Sequence, residues 1–280
     1  MKYLKLGGMA LLLWAGIASC TTIKMSIPTA FKAEAHSMKV KGLNGWPINE
    51  RIRFGNYQSN RIRRGWNTTS TRRRGSWSQQ QLEDLLYKNF GVGPQEWRTQ
   101  QKDKFRFELE ADSLFAEVYA REQMLSQSTQ IRTNTILGDW GRTQHYLYTF
   151  SATIIPGNAT EKETWQLNLT NVYDRQKDTA RRLFDQPYVE EKGYATNGTD
   201  SISIRTIYIT KAEGKDGKEA KMPFRIPGGY ELKWDGGLVC IVDAFGKNVW
   251  LHNELEPKDR ILLSALASAI LLRRIQDIKG

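Results

Sequence analysis

The residues of this 280-residue chain with chemistry to offer are three histidines, two cysteines and a scatter of carboxylates, and their spacing excludes most reactions. His36, His145 and His252 stand far apart, and neither an HExxH pair nor a CxxC motif occurs, so no metal-ligating set and no cofactor is expected. A GxSxG elbow, a P-loop and a GxGxxG between strand and helix are also missing. Glu108, Glu110, Glu190, Glu191, Asp235 and Asp243 could in three dimensions supply a general acid and base of the glycosidase kind. However, Glu108 and Glu110 alternate with Phe105, Phe107 and Leu109, the pattern of an exposed strand face, while Asp235 and Asp243 sit beside glycines as turn formers do. No catalytic residue is assigned. Cys240 lies in the apolar run GLVCIVDAF and reads as a small buried hydrophobe.

The strongest charge signal is local. Between Lys32 and Arg74 eleven cations face only Glu34 and Glu50, eleven minus two giving +9, against +11 for the whole chain. Arg61, Arg63, Arg64, Arg72, Arg73 and Arg74 form the candidate surface for an anionic partner, either anionic lipid or an envelope glycan. Trp66 and Trp77, interleaved with them, would also suit nucleic acid. Export, read from the N-terminus, removes that partner.

The N-terminus MKYLKLGGMALLLWAGIASC has Lys2 and Lys5 as a basic start, an apolar stretch from Leu6 to Ala15, and small residues before a cysteine. Ile17-Ala18-Ser19-Cys20 resembles the bacterial lipobox. The resemblance implies cleavage after Ser19, leaving residues 1–19 as a signal peptide, and acylation of Cys20, whose several chains would hold the protein at a membrane where one chain would not. The expected location is the cell envelope, lipid-anchored to a bacterial membrane, the outer membrane in first place, with the body periplasmic or surface-exposed. Residues 20–45 lack sustained periodicity and read as a tether, with a single β-rich domain expected over 46–280. Asp112-Ser113-Leu114, Asp178-Thr179-Ala180 and Asp200-Ser201-Ile202 resemble an O-glycosylation sequon of exported proteins in certain Gram-negative lineages, which implies Ser113, Thr179 and Ser201 as acceptors. The same aspartates also read as turn formers at strand starts.

Most of the chain has strand periodicity. Ile52 and Phe54 alternate with arginines, and Asn56 to Asn60 supply turn residues before a second arginine-rich strand. The stretch SQQQLEDLLYKNFGVG switches to helical spacing with Ser78 as N-cap and Gly91 as stop. FRFELEA and SLFAEVYAR make a hairpin around Asp112, and YLYTFSATII, TWQLNLTNVY, SISIRTIYIT, KMPFRI, GYELKW, GLVCIVDAF and NVWL follow. KAEGKDGKEAK reads as a solvated loop between two of these.

The last element, RILLSALASAILLRR, is the most apolar. Its uninterrupted part, Ile261 to Leu272, spans roughly 18 Å as a helix against a hydrocarbon core of about 30 Å, too short to cross a bilayer. It has no polar face, so protein must enclose it. Pro257, Asp259 and nearby acidic residues suit its start, and Arg273 and Arg274 its end.

The expected fold is therefore mainly β, with about ten to twelve antiparallel strands and a buried C-terminal helix. A closed barrel is one architecture that surrounds such a helix; an α+β sheet or sandwich covered by it is the alternative. The tail from Gly236 to Leu272, an apolar strand, a turn at Asp243 and Gly246, a second strand and a buried helix, resembles the tubby C-terminal-like superfamily, which implies a roughly twelve-stranded barrel threaded by the terminal helix. Some members bind phosphoinositides, but no binding residue of theirs can be matched here. The function expected is that of a non-enzymatic envelope lipoprotein presenting a β-rich binding domain with a basic patch; an envelope glycan hydrolase is the alternative.

Overall fold

The computed structural model describes residues 25–43, 49–90, 92–133, 140–157, 163–174, 191–213 and 219–274. In chain order the elements are α1 (Thr29–Glu34), β1 (Ala35–Lys39), β2 (Arg53–Phe54), β3 (Tyr57–Ser59), β4 (Arg63–Arg64), β5 (Thr68–Arg73), α2 (Trp77–Phe90), β6 (Val92–Ala111), β7 (Leu114–Thr133), β8 (Trp140–Pro156), β9 (Trp165–Asp174), β10 (Lys192–Thr196), β11 (Ser201–Glu213), β12 (Glu219–Trp234), β13 (Gly237–Asp243), β14 (Asn248–His252) and α3 (Pro257–Leu271).

Local chemistry accounts for the strands. In β9 the burial alternates strictly at first, Trp165, Leu167 and Leu169 inward and Gln166 and Thr170 outward, because the side-chain period of a strand is two. β6 and β7 are joined at Asp112, whose φ of 54° lies in the left-handed region that a two-residue hairpin turn demands, and Asp235-Gly236 does the same between β12 and β13. Neighbouring strands pair antiparallel in the order β1-β14-β13-β12-β11-β10-β9-β8-β7-β6-β3-β2, with β4 and β5 following β3 along the same edge of β6. An antiparallel bridge between Lys41 and Arg53 then links the two ends of that order, so the sheet is a nearly closed barrel of twelve strands.

Helix α3 is what the barrel closes around. Each residue from Ile261 to Ile270 is buried, and at 100° per residue ten consecutive positions point in every direction. The helix touches β6, β7 and β8 on one arc and β13 and β14 on the opposite one, and its side chains belong to one apolar cluster with those of the strands. None of the described helices is long and apolar enough to cross a membrane.

Three expectations change. Residues 25–43 are part of the fold, so the tether read over 20–45 does not hold there and the folded body starts well before Trp46. β1 pairs with β14, and Met25, Ile27, Phe31 and Ala35 form a second apolar cluster with Ile209 and Ile241 on the outer face of the barrel. Its apolar residues are too few and too irregularly spaced to register as an element. The close seat of Met25 requires Gly229, where a Cβ would come within 2.0 Å of the Val242 carbonyl and 2.9 Å of the Met25 sulfur. KMPFRI and GYELKW are one strand, because a register irregularity at Pro227–Gly229 absorbs the break that the sequence suggests. Finally, α2 is capped by Ser76, not Ser78: the Gln79 amide donates to Ser76 Oγ (3.3 Å) and the Ser76 amide to Gln79 Oε1 (3.0 Å), a reciprocal capping box. Gly91 lies outside the described residues.

A cationic outer face and a buried polar cluster

Alternation along β6 turns Phe105, Phe107 and Leu109 into the lumen and Lys104 and Arg106 out. The register then sets Arg106 directly opposite Arg63 of β4 on one side and Tyr119 of β7 on the other, while Lys104 faces Arg121. These residues, with Ser151 and Thr153 of β8, line a groove of about 610 Å³ whose floor includes Phe105, Ala120 and Ala152. Lys104 reaches into place across Gly65, where a Cβ would lie 2.4 Å from the lysine Cε.

Cross-strand partners have Cβ atoms only about 5 Å apart, so two like-charged pairs in adjacent rows repel each other. Arg63, Lys104, Arg106 and Arg121 form no ion pair with a described carboxylate. The groove thus concentrates four cations with hydroxyls beside them and none in an ion pair with a described carboxylate, an arrangement that an anion relieves.

The six arginines singled out in the sequence separate. Arg63 lines the groove, and Arg61 and Arg72 are exposed, Arg72 opposite Arg98 of β6. Arg73 clamps α2 to the sheet through Asp84 (2.9 Å) and the Gln80 carbonyl (3.1 Å), and Arg74 pairs with Glu96 at 3.3 Å on the surface. Arg64 is no surface residue: strand alternation turns it inward, with 7% of its side chain exposed. Lys102, Lys104, Arg106, Arg121 and Tyr119 were not singled out; the alternation in KDKFRFELE placed Lys104 and Arg106 outward, but only the register brings Arg121 and Arg63 to them.

Inside the barrel mouth Arg64 joins a polar cluster at the C-terminal end of α3. It donates to Glu50 (2.9 Å), Asp103 (3.2 Å) and the Leu272 carbonyl (2.9 Å). Arg273 donates to Glu191 (2.7 Å) and to the Ile270 carbonyl (3.0 Å) and lies over the rings of Tyr148, Phe150 and Tyr230. Arg274 pairs with Glu50 (3.1 Å), and its amide donates to Glu122 (2.9 Å), which also accepts from the Tyr148 hydroxyl; the Tyr230 hydroxyl donates to Glu191. Burial would pull the Arg273 guanidinium down, but Glu191, Tyr230 and Tyr148 reverse this and hold it well above its usual range. Burial raises both tyrosine hydroxyls, with the nearby carboxylates adding to it. Every buried carboxylate here is held by an arginine or by a backbone amide, and the arginines also cap the last carbonyls of the helix, which favours cations at that end. The cluster is a structural lock at the helix terminus.

Elsewhere among the described residues, the carboxylates singled out in the sequence lie on the outer sheet surface or in turns. Glu108 and Glu117 are directly opposed on the outer sheet surface, and Glu117 accepts from the Tyr119 hydroxyl at 2.6 Å. Glu108 is pushed above the usual carboxylate range by burial first, then by its hydrogen bond to Glu110 and the charges of Glu110 and Glu117. A carboxyl raised in the folded state contributes stability at low pH and loses it as pH rises through its folded pKa. Glu108→Gln is therefore expected to stabilise the barrel by about 0.5 kcal/mol at pH 7 and by nothing once the carboxyl is protonated, as paired thermal melts at pH 7 and in acid will show. Asp235 forms a turn, and Asp243 accepts from the Gly246 amide (2.6 Å) and the Asn248 side chain (3.1 Å).

His145 faces Asp174, His252 faces Glu34, and His36 pairs with Asn253; no group of metal-ligating side chains forms among the described residues. Cys240 is fully buried, which pushes its thiol up and leaves it inert. Ser113 in the β6–β7 turn and Ser201 at the start of β11 are exposed, whereas Cys20, Thr179 and Glu190 lie outside the described residues. Comparison with known protein families, with curated proteins and with solved structures yields no match to this chain.

Proposed function

We propose that this protein is a non-enzymatic envelope lipoprotein, anchored in a bacterial membrane through acyl chains on Cys20, whose barrel binds an anionic ligand. The observation that carries the binding role is the groove between β4 and β8: four cations in no ion pair with a described carboxylate, beside hydroxyls on one sheet. The anchor rests on the signal sequence ending Ile17-Ala18-Ser19-Cys20. The tubby-like resemblance belongs to the same reading. A fixed patch on a barrel wall suits a binding module. The exposed Ser113 and Ser201 stay candidate glycosylation acceptors on that surface.

Both halves of the reading are open to one expression experiment with labelled palmitate. Wild type is expected to carry the label, and Cys20→Ala to carry none and to keep residues 1–19. Labelled, normally processed Cys20→Ala protein disproves the anchor. Replacing Arg63, Lys104, Arg106 and Arg121 by Ser in the acylated chain is expected to weaken retention on a polyanion resin at least tenfold with Tm unchanged. Undiminished retention removes the groove from the function.

A further inference from the structure

We propose that the cationic face takes a linear acidic glycan, and not the headgroups of the bilayer that holds the anchor; the second half rests on the lipidation of Cys20. The shape of the charge is the first observation. Along β6 the outward positions include Arg98, Lys102, Lys104 and Arg106, so cations recur along one continuous strand over at most about 27 Å at ~3.4 Å per residue. Cross-strand cations widen the strip at Arg72, Arg63 and Arg121. The row stops at Glu108 and Glu110, which repel an anionic chain running further. A strip of this form matches an extended polymer with charges repeated along its length.

The second observation is what flanks the strip. The next strands present a hydroxyl and amide lattice, Ser151 donating to Asn168 (2.9 Å) and Thr153 to Gln166 (3.2 Å), and Ser151 and Thr153 line the groove itself. Hydroxyls and amides give and accept hydrogen bonds as sugar hydroxyls require. Tyr119 is 43% exposed in the groove and Trp66, next to Gly65 at its edge, is 90% exposed; both offer a flat apolar face to a sugar ring.

The third observation is orientation. The N-terminal segment sits on the outer face of β11–β14, where Met25 is buried. β13 and β7 are six strands apart by either route around the ring, so the cationic face lies diametrically opposite. Twelve strands spaced ~4.8 Å and tilted ~40° make a ring roughly 24 Å across. From Met25 back to Cys20 is five residues, a reach of at most ~18 Å. With Cys20 in the bilayer the groove therefore cannot lie flat on that same surface, and it opens to the aqueous side.

The test is titration calorimetry of the full acylated chain in zwitterionic detergent micelles with polygalacturonate, a linear polyuronate. Wild type is expected to bind it at least tenfold more tightly than poly-glutamate or oligothymidylate of equal charge. Lys104→Gln/Arg106→Gln/Arg121→Gln, and separately Ser151→Trp, which fills the groove without changing charge, are each expected to weaken binding at least tenfold. Equal affinity for all three polymers, or no loss in either variant, overturns the glycan assignment. For the acylated chain at about 0.15 M salt, where charge is screened within ~8 Å, the partition between phosphatidylglycerol and phosphatidylcholine vesicles is expected to be the same with and without the three glutamine changes. A loss there assigns the face to headgroups and also overturns it. If wild type incorporates no palmitate, the anchor fails alone, because the micelle titrations still report on the groove.

Discussion

Ala267→Arg is expected to leave no cooperatively folded barrel. Ala267 is fully buried at the middle of α3, with Leu266 and Leu263 on the same helix also at zero exposure, and the helix is enclosed by strands from opposite arcs. An arginine there has no carboxylate to meet and no route to water. An unpaired buried ion costs several kcal/mol, and the added volume in a packed core costs about 1–3 more. Native domains hold only about 5–15 kcal/mol in total, so the change consumes most or all of the stability. Ala267→Gly, which keeps the volume small and adds no charge, is expected to cost only about 1 kcal/mol and serves as the reference. Near-ultraviolet circular dichroism and thermal melts read both variants. A melt for Ala267→Arg within a few degrees of wild type would mean that the helix is not enclosed.

That enclosure was legible because ILLSALASAILL is apolar or small on every face, Ser264 and Ser268 being its only polar side chains, so the sequence itself requires a surrounding wall. The wall was legible where one face is apolar: FRFELEA and TWQLNLTNVY alternate cleanly. It was not legible where both faces carry polar residues. The β6 and β7 arms beyond Lys104 and Glu122 run through QEWRTQQKD and QMLSQSTQ, whose strand state comes from pairing with each other over 20 residues and not from period. β1 failed for a related reason: its pairing partner, β14, lies more than 200 residues away.

The candidate site shows the same division. Arginine density was plain, but a one-residue change of parity decides which side of the sheet a side chain takes, so Arg63 is exposed and the Arg64 side chain buried although they are neighbours. Carrying the alternation onward would have exposed the buried cluster. Asp103 stands two residues before Phe105, and Glu122 two after Ala120, so each falls on the inward side of its strand. An inward carboxylate in a β-barrel calls for a donor: Arg64 meets Asp103, and the backbone amide of Arg274 at the end of the enclosed helix meets Glu122.

Arg273→Met is the sharper probe of that lock, because it removes charge while keeping much of the apolar stem. The Arg273 side chain is fully buried and Glu191 nearly so, and their contact is 2.7 Å. Deleting one partner of such a pair costs about 3–5 kcal/mol, mostly because the other charge is stranded. In a domain of this size that lowers Tm by roughly 10 °C. The carbonyl of Ile270 also loses its donor, so the last turn of α3 frays at the same time. Adding Glu191→Gln removes the stranded charge while keeping an acceptor for the Tyr230 hydroxyl, so the double variant is expected to be more stable than Arg273→Met alone. Additive losses would show that the two side chains act separately and that packing of the Arg273 stem on Tyr148, Phe150 and Tyr230 carries the stabilisation. A recovery of 1 kcal/mol or more, about the size at which coupling between contacting residues is measurable, places the stabilisation in the charge pair itself.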